Sequence, residues 1–232
     1  MLRQLFLLGG SAAFDVTADE FVPAAGGRDA RIVLLLQGGR DSQKHVPDYT
    51  QPWAARGVSR YDVIVPGDDG RLNLDAVIAK LEGATGIFIG GGDTAIYRRL
   101  YVSDPVRAIL RKLYARGVPL AGCSAGALIA PKICAFHPGE SDGESLVAEG
   151  LGLVSDLLVG VHFKAEDVLP NLLAAMVASR TRTAWGIEDA ACVVLENEKL
   201  VRVLGRAAYE IVMTDFEKKL YHLLEHPIPR HR

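Results

Sequence analysis

One serine stands between two glycines in the motif Gly122-Cys-Ser-Ala-Gly126, which follows the apolar run 118–121. In a nucleophile elbow the central residue occupies a strained turn between a strand and a helix, and its neighbours are small because the two elements approach closely. We therefore predict that Ser124 is a nucleophile suited to acyl transfer. The backbone N–H of Ala125 would then donate to the oxyanion that forms when Ser124 attacks a carbonyl group.

Two other interpretations of this motif stay open. The small residues could simply form a tightly packed turn without chemistry. Cys123 is a competing nucleophile, but it comes before the centre of the elbow, where a side chain would point into the fold. We therefore interpret Cys123 as a small buried hydrophobic residue.

A serine nucleophile needs a base, and the chain contains six histidines. His162 ends the apolar run 157–161 and precedes a helical pattern, and catalytic groups collect at such strand ends in α/β sheets. His137, in the loop 135–139, is the alternative.

A carboxylate is then required to orient the imidazole and stabilise its protonated form. Glu188 and Asp189 follow the apolar run 184–187 and compete for this role. Glu140 and Asp142, in the loop after the elbow, form a second candidate pair.

A glycine-rich turn supplies further oxyanion donors. The apolar run 87–89 leads into Gly90-Gly-Gly-Asp-Thr94, and glycines let backbone amides approach a substrate. We predict that the amides of Gly91 and Gly92 act with that of Ala125. Asp93 and Thr94 either cap the following helix or contact the substrate. The spacing does not match a dinucleotide-binding fingerprint.

Apolar runs and helical patterns alternate along the first half of the chain, which predicts an α/β fold with a mostly parallel sheet and helices on both faces. The predicted strands there are 5–8, 32–36, 63–65, 87–89 and 118–121, and the predicted helices are 48–56, 74–81 and 105–116. Parallel strands would bring their carboxyl ends, and hence the elbow and the glycine turn, to one edge of the sheet.

The second half has a different pattern. Strands are predicted over 157–163, 184–187, 192–195, 200–204 and 208–213, a helix over 168–179 and a closing helix over 215–224. A polar turn at 196–199 indicates a hairpin, so antiparallel strands should extend the sheet near the C-terminus. Residues 226–232 are expected to fray, and we expect one domain over 1–232 because no linker or repeat interrupts the chain.

The overall composition excludes several partners. The 232 residues include 26 Lys and Arg and 28 Asp and Glu, which give a net charge of −2. Such a charge would not attract nucleic acid or a membrane surface. Three cysteines without zinc-site spacing indicate a reducing compartment, the cytoplasm, and no metal. No run reaches the ~20 apolar residues of a spanning helix, and the first residues are interpreted as a strand and not as a secretory signal. A monomer and a homodimer both stay open.

The order of these motifs resembles the dipeptidase E and cyanophycinase family of serine peptidases, whose fold is similar to that of class I glutamine amidotransferases. Tyr49, Trp53 and Gly57 also resemble the helix after the second strand of that family. The shared motifs are the turn 90–93, the elbow 122–127, Gly150-Leu-Gly-Leu153, His162-Phe163 and Gly186-Ile-Glu-Asp189.

This resemblance implies a peptidase acting on short peptides, as an exopeptidase or dipeptidase, without a cofactor. It implies Ser124 as nucleophile, His162 as base and Asp189 as the orienting acid. Glu188 is an alternative for that acid because relatives more often carry Glu at the position of Asp189. Glu140 is another, because some relatives have been assigned an acid in the loop after the elbow.

One segment departs from the family pattern. Relatives place several arginines after the His-Phe pair, whereas this chain has Phe163-Lys-Ala-Glu-Asp-Val-Leu-Pro170, in which only Lys164 is basic. Lys164 is a candidate substrate contact, Arg98, Arg180 and Arg182 could compensate from elsewhere, and strongly acidic substrates are disfavoured.

The same departure motivates a second hypothesis, a catalytically silent binding protein. A third, transfer of the glutamine amide, would need a cysteine at the centre of the elbow, where this chain has serine.

Overall fold

A computed structural model describes residues 1–38, 40–137, 139–140 and 145–226 of the chain. The strands are β1 Gln4–Leu8, β2 Arg31–Leu35, β3 Arg60–Ile64, β4 Gly86–Ile89, β5 Leu120–Cys123, β6 Ile133–Ala135, β7 Val147–Glu149, β8 Leu157–Val161, β9 Thr183–Ile187, β10 Ala191–Glu196, β11 Lys199–Gly205, β12 Ala208–Asp215 and β13 Leu220–His226. The helices are α1 Phe14–Ala24, α2 Val46–Ala54, α3 Leu74–Glu82, α4 Thr94–Tyr101, α5 Val106–Ala115, α6 Ala125–Leu128 and α7 Leu169–Ser179.

The central sheet has the strand order β11-β10-β1-β5-β4-β2-β3. Its five strands from β1 to β3 in this order are parallel, while β10 and β11 are antiparallel to their neighbours. The α/β class and the antiparallel strands expected near the C-terminus are therefore confirmed. The turn between β10 and β11 is the hairpin that the polar residues at 196–199 predicted.

Successive side chains of a strand point to opposite faces of a sheet, and β1 buries both. Leu5 and Leu7 pack into one core with α3, α4 and α5, whereas Phe6 and Leu8 pack into another with α1 and α2. The central sheet is thus covered by helices on both faces, which explains why its strands are continuous apolar runs.

A second sheet, of order β13-β12-β9-β8, carries α7 on one face. In its parallel pair Val161 lies opposite Ile187, so β8 and β9 end side by side. The chain then passes from β9 directly into β10 of the central sheet. This connection places the ends of β8 and β9 next to the end of β5.

The predicted closing helix over 215–224 is wrong. Asp215 ends β12, its side chain accepts the N–H groups of Glu217 and Lys218, and β13 then returns antiparallel to β12. Phe216 packs against the core beside α7, but Leu220 and Leu224 are 54% and 57% exposed, so a helix here would leave most of its apolar residues in solvent. Pairing with β12 satisfies the backbone instead.

Other sequence predictions differ at their ends, mostly by one to three residues. The sequence patterns did not identify α1, which contains Pro23 in its last turn. Residues 227–232, within the tail that is expected to fray, lie outside the described residues. Within the described ranges, no helix is long and apolar enough to cross a membrane.

Candidate active site

Ser124 occupies the turn between β5 and α6, with φ 49° and ψ −115°. A positive φ is strained for a residue other than glycine, and such strain concentrates at functional sites. The turn is as tight as the sequence suggests: a Cβ on Gly122 would overlap the carbonyl of Gly126, and a Cβ on Gly126 would overlap that of Ile89. The strained turn therefore requires glycine on both sides of Ser124.

His162 follows β8 directly and also has a positive φ, 53°. Its Nε2 lies 3.0 Å from Oγ of Ser124, which is within hydrogen-bond distance. The structure therefore brings together the serine of one sheet and the histidine of the other, 38 residues apart in the chain.

Asp189 stands in the turn between β9 and β10, and its Oδ1 is hydrogen-bonded to Nδ1 of His162. The two nitrogens of the imidazole thus face Ser124 and Asp189. A carboxylate at Nδ1 selects the tautomer that leaves Nε2 free to accept a proton.

The other candidate acids lie elsewhere. Oε1 of Glu188 accepts a hydrogen bond from the Tyr209 hydroxyl at 2.9 Å and pairs with Lys164 at 3.6 Å. Oε2 of Glu140 accepts a hydrogen bond from the Thr94 hydroxyl. Asp142 lies outside the described residues.

His137, the alternative base, is turned toward another partner. Its Nε2 lies 3.2 Å from Oε2 of Glu166, and its ring packs against that of His162 with the centroids 5.8 Å apart. His137 therefore stands beside the Ser124–His162 pair, and Glu166 is a neighbour that sequence reasoning did not identify.

The predicted oxyanion donors have different surroundings. Ala125 is the first residue of α6, so its N–H has no acceptor within that helix. Gly92 has φ 149°, a value that residues with a side chain rarely adopt. It lines two cavities together with Ser124. The N–H of Gly91 donates to the Tyr49 hydroxyl at 3.1 Å.

The predicted substrate contacts also have internal partners. Asp93 caps α4 by accepting the N–H of Ile96 at 2.8 Å. The side chain of Lys164 is 62% exposed and lies over the Tyr209 ring at 4.6 Å, on the Glu188 side of the site. Arg180 pairs with Glu217 at 2.9 Å, and Arg182 donates to the carbonyl of Met213 at 3.1 Å.

Two cavities meet at Ser124. The Tyr49 cavity, of about 560 Å³, is lined among others by Phe14, Leu36 and Tyr49. The Glu140 cavity, of about 230 Å³, is lined among others by Thr94, His137, Glu140 and Glu166. Gly92, Ser124 and His162 border both cavities, so a substrate reaching Ser124 can extend into either one.

Cys123 is buried beneath the elbow, and burial raises the pKa of its thiol. The nucleophilic form of cysteine is the thiolate, which this environment disfavours. Among the residues that the structure describes, no three His, Cys, Asp or Glu side chains are arranged to hold a metal ion.

The sequence model of peptidase family S51 matches residues 6–203 of the chain. A cyanophycinase from Synechococcus elongatus is 32% identical over 197 residues, which cover 83% of this chain and 61% of the cyanophycinase. The chain thus spans less than two thirds of the length of that relative.

Two further proteins are similar to this chain, one in sequence and one in structure. A cyanophycinase from Geminocystis herdmanii (strain PCC 6308) is 28% identical over 220 residues, covering 91% of this chain and 81% of the relative. The crystal structure of a peptidase from an acI-B1 actinobacterium has a TM-score of 0.70 and 19% identity, with 98% of each chain covered. The latter similarity shows a shared fold.

Proposed function

The chain belongs to peptidase family S51, and we propose that it is a serine peptidase that cleaves short peptides through an acyl-enzyme on Ser124. One observation carries the proposal: Oγ of Ser124 lies 3.0 Å from Nε2 of His162, while Nδ1 of the same ring is bonded to Asp189. This is the relation of nucleophile, base and orienting acid that acyl transfer requires.

Acylation follows from this geometry. As Oγ of Ser124 attacks the peptide carbonyl, its proton moves to Nε2 of His162, and Asp189 stabilises the resulting imidazolium. The N–H groups of Ala125 and Gly92 bind the oxyanion of the tetrahedral intermediate. The intermediate then expels the amine, which takes the proton from His162.

Deacylation repeats these steps with water. His162 removes a proton from the attacking water, and the second tetrahedral intermediate uses the same two N–H groups. Its collapse returns the proton to Oγ of Ser124 and releases the new carboxylate. None of these steps uses Cys123, Glu188 or His137.

The charge around Ser124 limits the substrate. Among the described residues, Glu140 and Glu166 line the Glu140 cavity and no Lys or Arg does, whereas Lys44 and Asp48 both line the Tyr49 cavity. An acidic substrate group in the Glu140 cavity would be repelled, whereas a neutral or positively charged group would not. We therefore propose short peptides that carry no acidic group in this cavity, with exopeptidase or dipeptidase activity.

A fluorophosphonate probe and a peptide-library digest with mass-spectrometric readout test this function. The wild type should be labelled and should cleave a subset of the library, whereas Ser124→Ala and His162→Ala should do neither. Ser103→Ala is the matched control because Ser103 is an exposed serine that lines neither cavity, so this variant should not alter either result. Unchanged hydrolysis by Ser124→Ala would refute the proposal.

The catalytically silent binding protein is not favoured, since a silent relative has no need for the Ser124–His162–Asp189 hydrogen bonds. The cysteines support a cytoplasmic location for the peptidase. Cys123, Cys134 and Cys192 are all buried free thiols, which persist in a reducing compartment.

A further inference from the structure

Gly91 is held by two tyrosine hydroxyls, one at each end of the residue. Its N–H donates to Oη of Tyr49 at 3.1 Å, and its carbonyl accepts a hydrogen bond from Oη of Tyr97 at 3.2 Å. Both peptide groups that flank Gly91 are therefore fixed in orientation.

The carbonyl of Gly91 and the N–H of Gly92 belong to the same peptide group. In a planar trans peptide these two bonds point in opposite directions. The hydrogen bond from Tyr97 to the carbonyl consequently also sets the direction of the Gly92 N–H.

This peptide would rotate easily without such a hold, because glycines stand on both sides of it. Gly92 has φ 149°, and glycine populates positive and negative φ with similar ease. A Cβ on the preceding Gly90 would lie 2.8 Å from the Tyr97 hydroxyl and 2.9 Å from the Tyr49 hydroxyl. Glycine at position 90 therefore lets both hydroxyls reach the Gly91 backbone.

Tyr97 is suited to this role because its side chain is fully buried. Burial raises the pKa of its phenol, so the hydroxyl keeps its proton and remains a donor. Burial likewise raises the pKa of Tyr49 to about 12.

We propose that Tyr97 is a positioning residue that directs the Gly92 N–H at the oxyanion formed on Ser124, while Tyr49 holds the preceding amide. The role of Tyr97 rests on the proposed peptidase function. The orientation of the peptide itself can be measured independently of activity.

Tyr97→Phe is compared with Tyr101→Phe, a matched control on the next turn of α4. Tyr101 is also fully buried, its ring is 5.8 Å from that of Tyr97, and its hydroxyl donates to the carbonyl of Leu36 at 2.6 Å. The Tyr101 hydroxyl also lies 3.4 Å from the carbonyl of Ile64. Each variant loses a buried phenol hydroxyl that donates to the backbone, so both should show a fall in Tm, but only Tyr97→Phe releases the Gly91 carbonyl.

With the best library peptide, kcat of Tyr97→Phe should fall about 10- to 100-fold, somewhat less than the ~10²–10³-fold loss on removing an oxyanion donor. KM should change less than about twofold because ground-state contacts remain. The affinity for a peptide aldehyde, which forms a tetrahedral adduct with serine, should fall with kcat. Tyr101→Phe should retain kcat within about threefold. Equal loss of kcat in the two variants would overturn the proposal.

Amide NMR spectra give a second readout. The Gly92 N–H resonance should shift or broaden in Tyr97→Phe and stay in place in Tyr101→Phe. An unchanged Gly92 resonance in Tyr97→Phe would overturn the positioning role even if the wild type is an active peptidase. If the wild type cleaves no peptide, the proposed function fails, and the NMR comparison still decides whether Tyr97 orients this peptide.

Discussion

Gly10 lies directly against the carboxylate of Asp189, so that a Cβ on Gly10 would stand 2.5 Å from Oδ1. The same oxygen is bonded to Nδ1 of His162. Gly10 has φ −164° and ψ −179°, an extended conformation that other residues adopt readily. Position 10 therefore requires glycine because the Asp189 carboxylate leaves no room for a Cβ. The backbone conformation itself does not require glycine.

Gly10→Ala should consequently impair the proposed peptide hydrolysis without changing any group that takes part in the reaction. The new methyl group pushes the Asp189 carboxylate away from His162, and a misplacement of about 1 Å can cost up to about 100-fold in rate. We expect kcat with the best library peptide to fall about 10- to 100-fold.

Gly67→Ala is the control for this substitution. A Cβ there would stand 3.1 Å from Oδ1 of Asp69, so it also crowds an aspartate, but one in a separate turn that is not part of the site. Its kcat should equal that of the wild type. Full activity in Gly10→Ala would show that Asp189 tolerates the displacement or does not orient His162.

The three candidate acids can be separated by amide substitutions. Asp189→Asn keeps the shape of the side chain but favours the wrong tautomer of His162, so kcat should fall about 10³- to 10⁴-fold. Glu188→Gln and Glu140→Gln should stay within about fivefold of the wild type, because their carboxylates bind Tyr209 and Thr94.

The rate of fluorophosphonate labelling should follow the same order as kcat across these variants. A large loss in Glu188→Gln or Glu140→Gln, together with a small one in Asp189→Asn, would assign the orienting role to a different acid. Tm measurements on all three variants exclude unfolding as the cause.

Local sequence was sufficient for the central sheet and the elbow. The strands around Ser124 are buried on both faces, so each is a continuous apolar run bounded by glycine, and the elbow needs small residues for steric reasons that its sequence shows directly. The prediction of a closing helix was wrong for the opposite reason. Apart from Phe216, which packs beside α7, the apolar residues of this segment are exposed, so their spacing does not mark a face that packs on a core.

The contacts around the site were harder to predict because they join distant parts of the chain. The sequence left Glu188 and Asp189 as neighbouring candidates for the orienting acid. The turn after β9 distinguishes them, because it directs Glu188 to Tyr209 and Asp189 to His162. The sequence did not indicate a role for the Tyr97 hydroxyl, because the apolar ring of this residue fits the buried face of α4. Its hydroxyl acquires a partner only when α4 packs beside the glycine turn.

The buried thiols predict a loss of stability at alkaline pH. Burial raises the pKa of Cys134 and Cys192 from 9.0 to about 12. Between these values the unfolded chain loses thiol protons that the folded chain keeps, so the unfolded state gains stability as the pH rises. The contribution of each thiol is complete below pH 9 and falls by about 1.4 kcal/mol per pH unit above it.

Urea unfolding at pH 8.0, 9.5 and 10.5 measures this effect. The free energy of unfolding of the wild type should fall over this range, and that of Cys192→Ala should fall less steeply by about 1.4 kcal/mol per pH unit. Any cavity left by the alanine lowers stability equally at each pH, so the slope is the informative quantity. Equal slopes in the two proteins would contradict a raised pKa at Cys192.

The charge of the Glu140 cavity should appear in substrate preference. Glu166 lines this cavity and is half exposed, and such a charge contributes about 0.2–1 kcal/mol, or up to about fivefold in KM. For peptides matched except for one Lys, Gln or Glu that enters this cavity, Glu166→Gln should raise KM for the Lys peptide and lower it for the Glu peptide. KM for the Gln peptide should not change.

Added salt should reduce this difference, since exposed charges are screened. Glu82→Gln, on the exposed end of α3, is the matched control and should leave all three KM values unchanged. Because Glu166 also pairs with His137, kcat for the Gln peptide is measured to detect a disturbance of the neighbouring His162. If Glu166→Gln changes the three KM values equally, its carboxylate affects the site through packing, and charge in this cavity does not select the substrate.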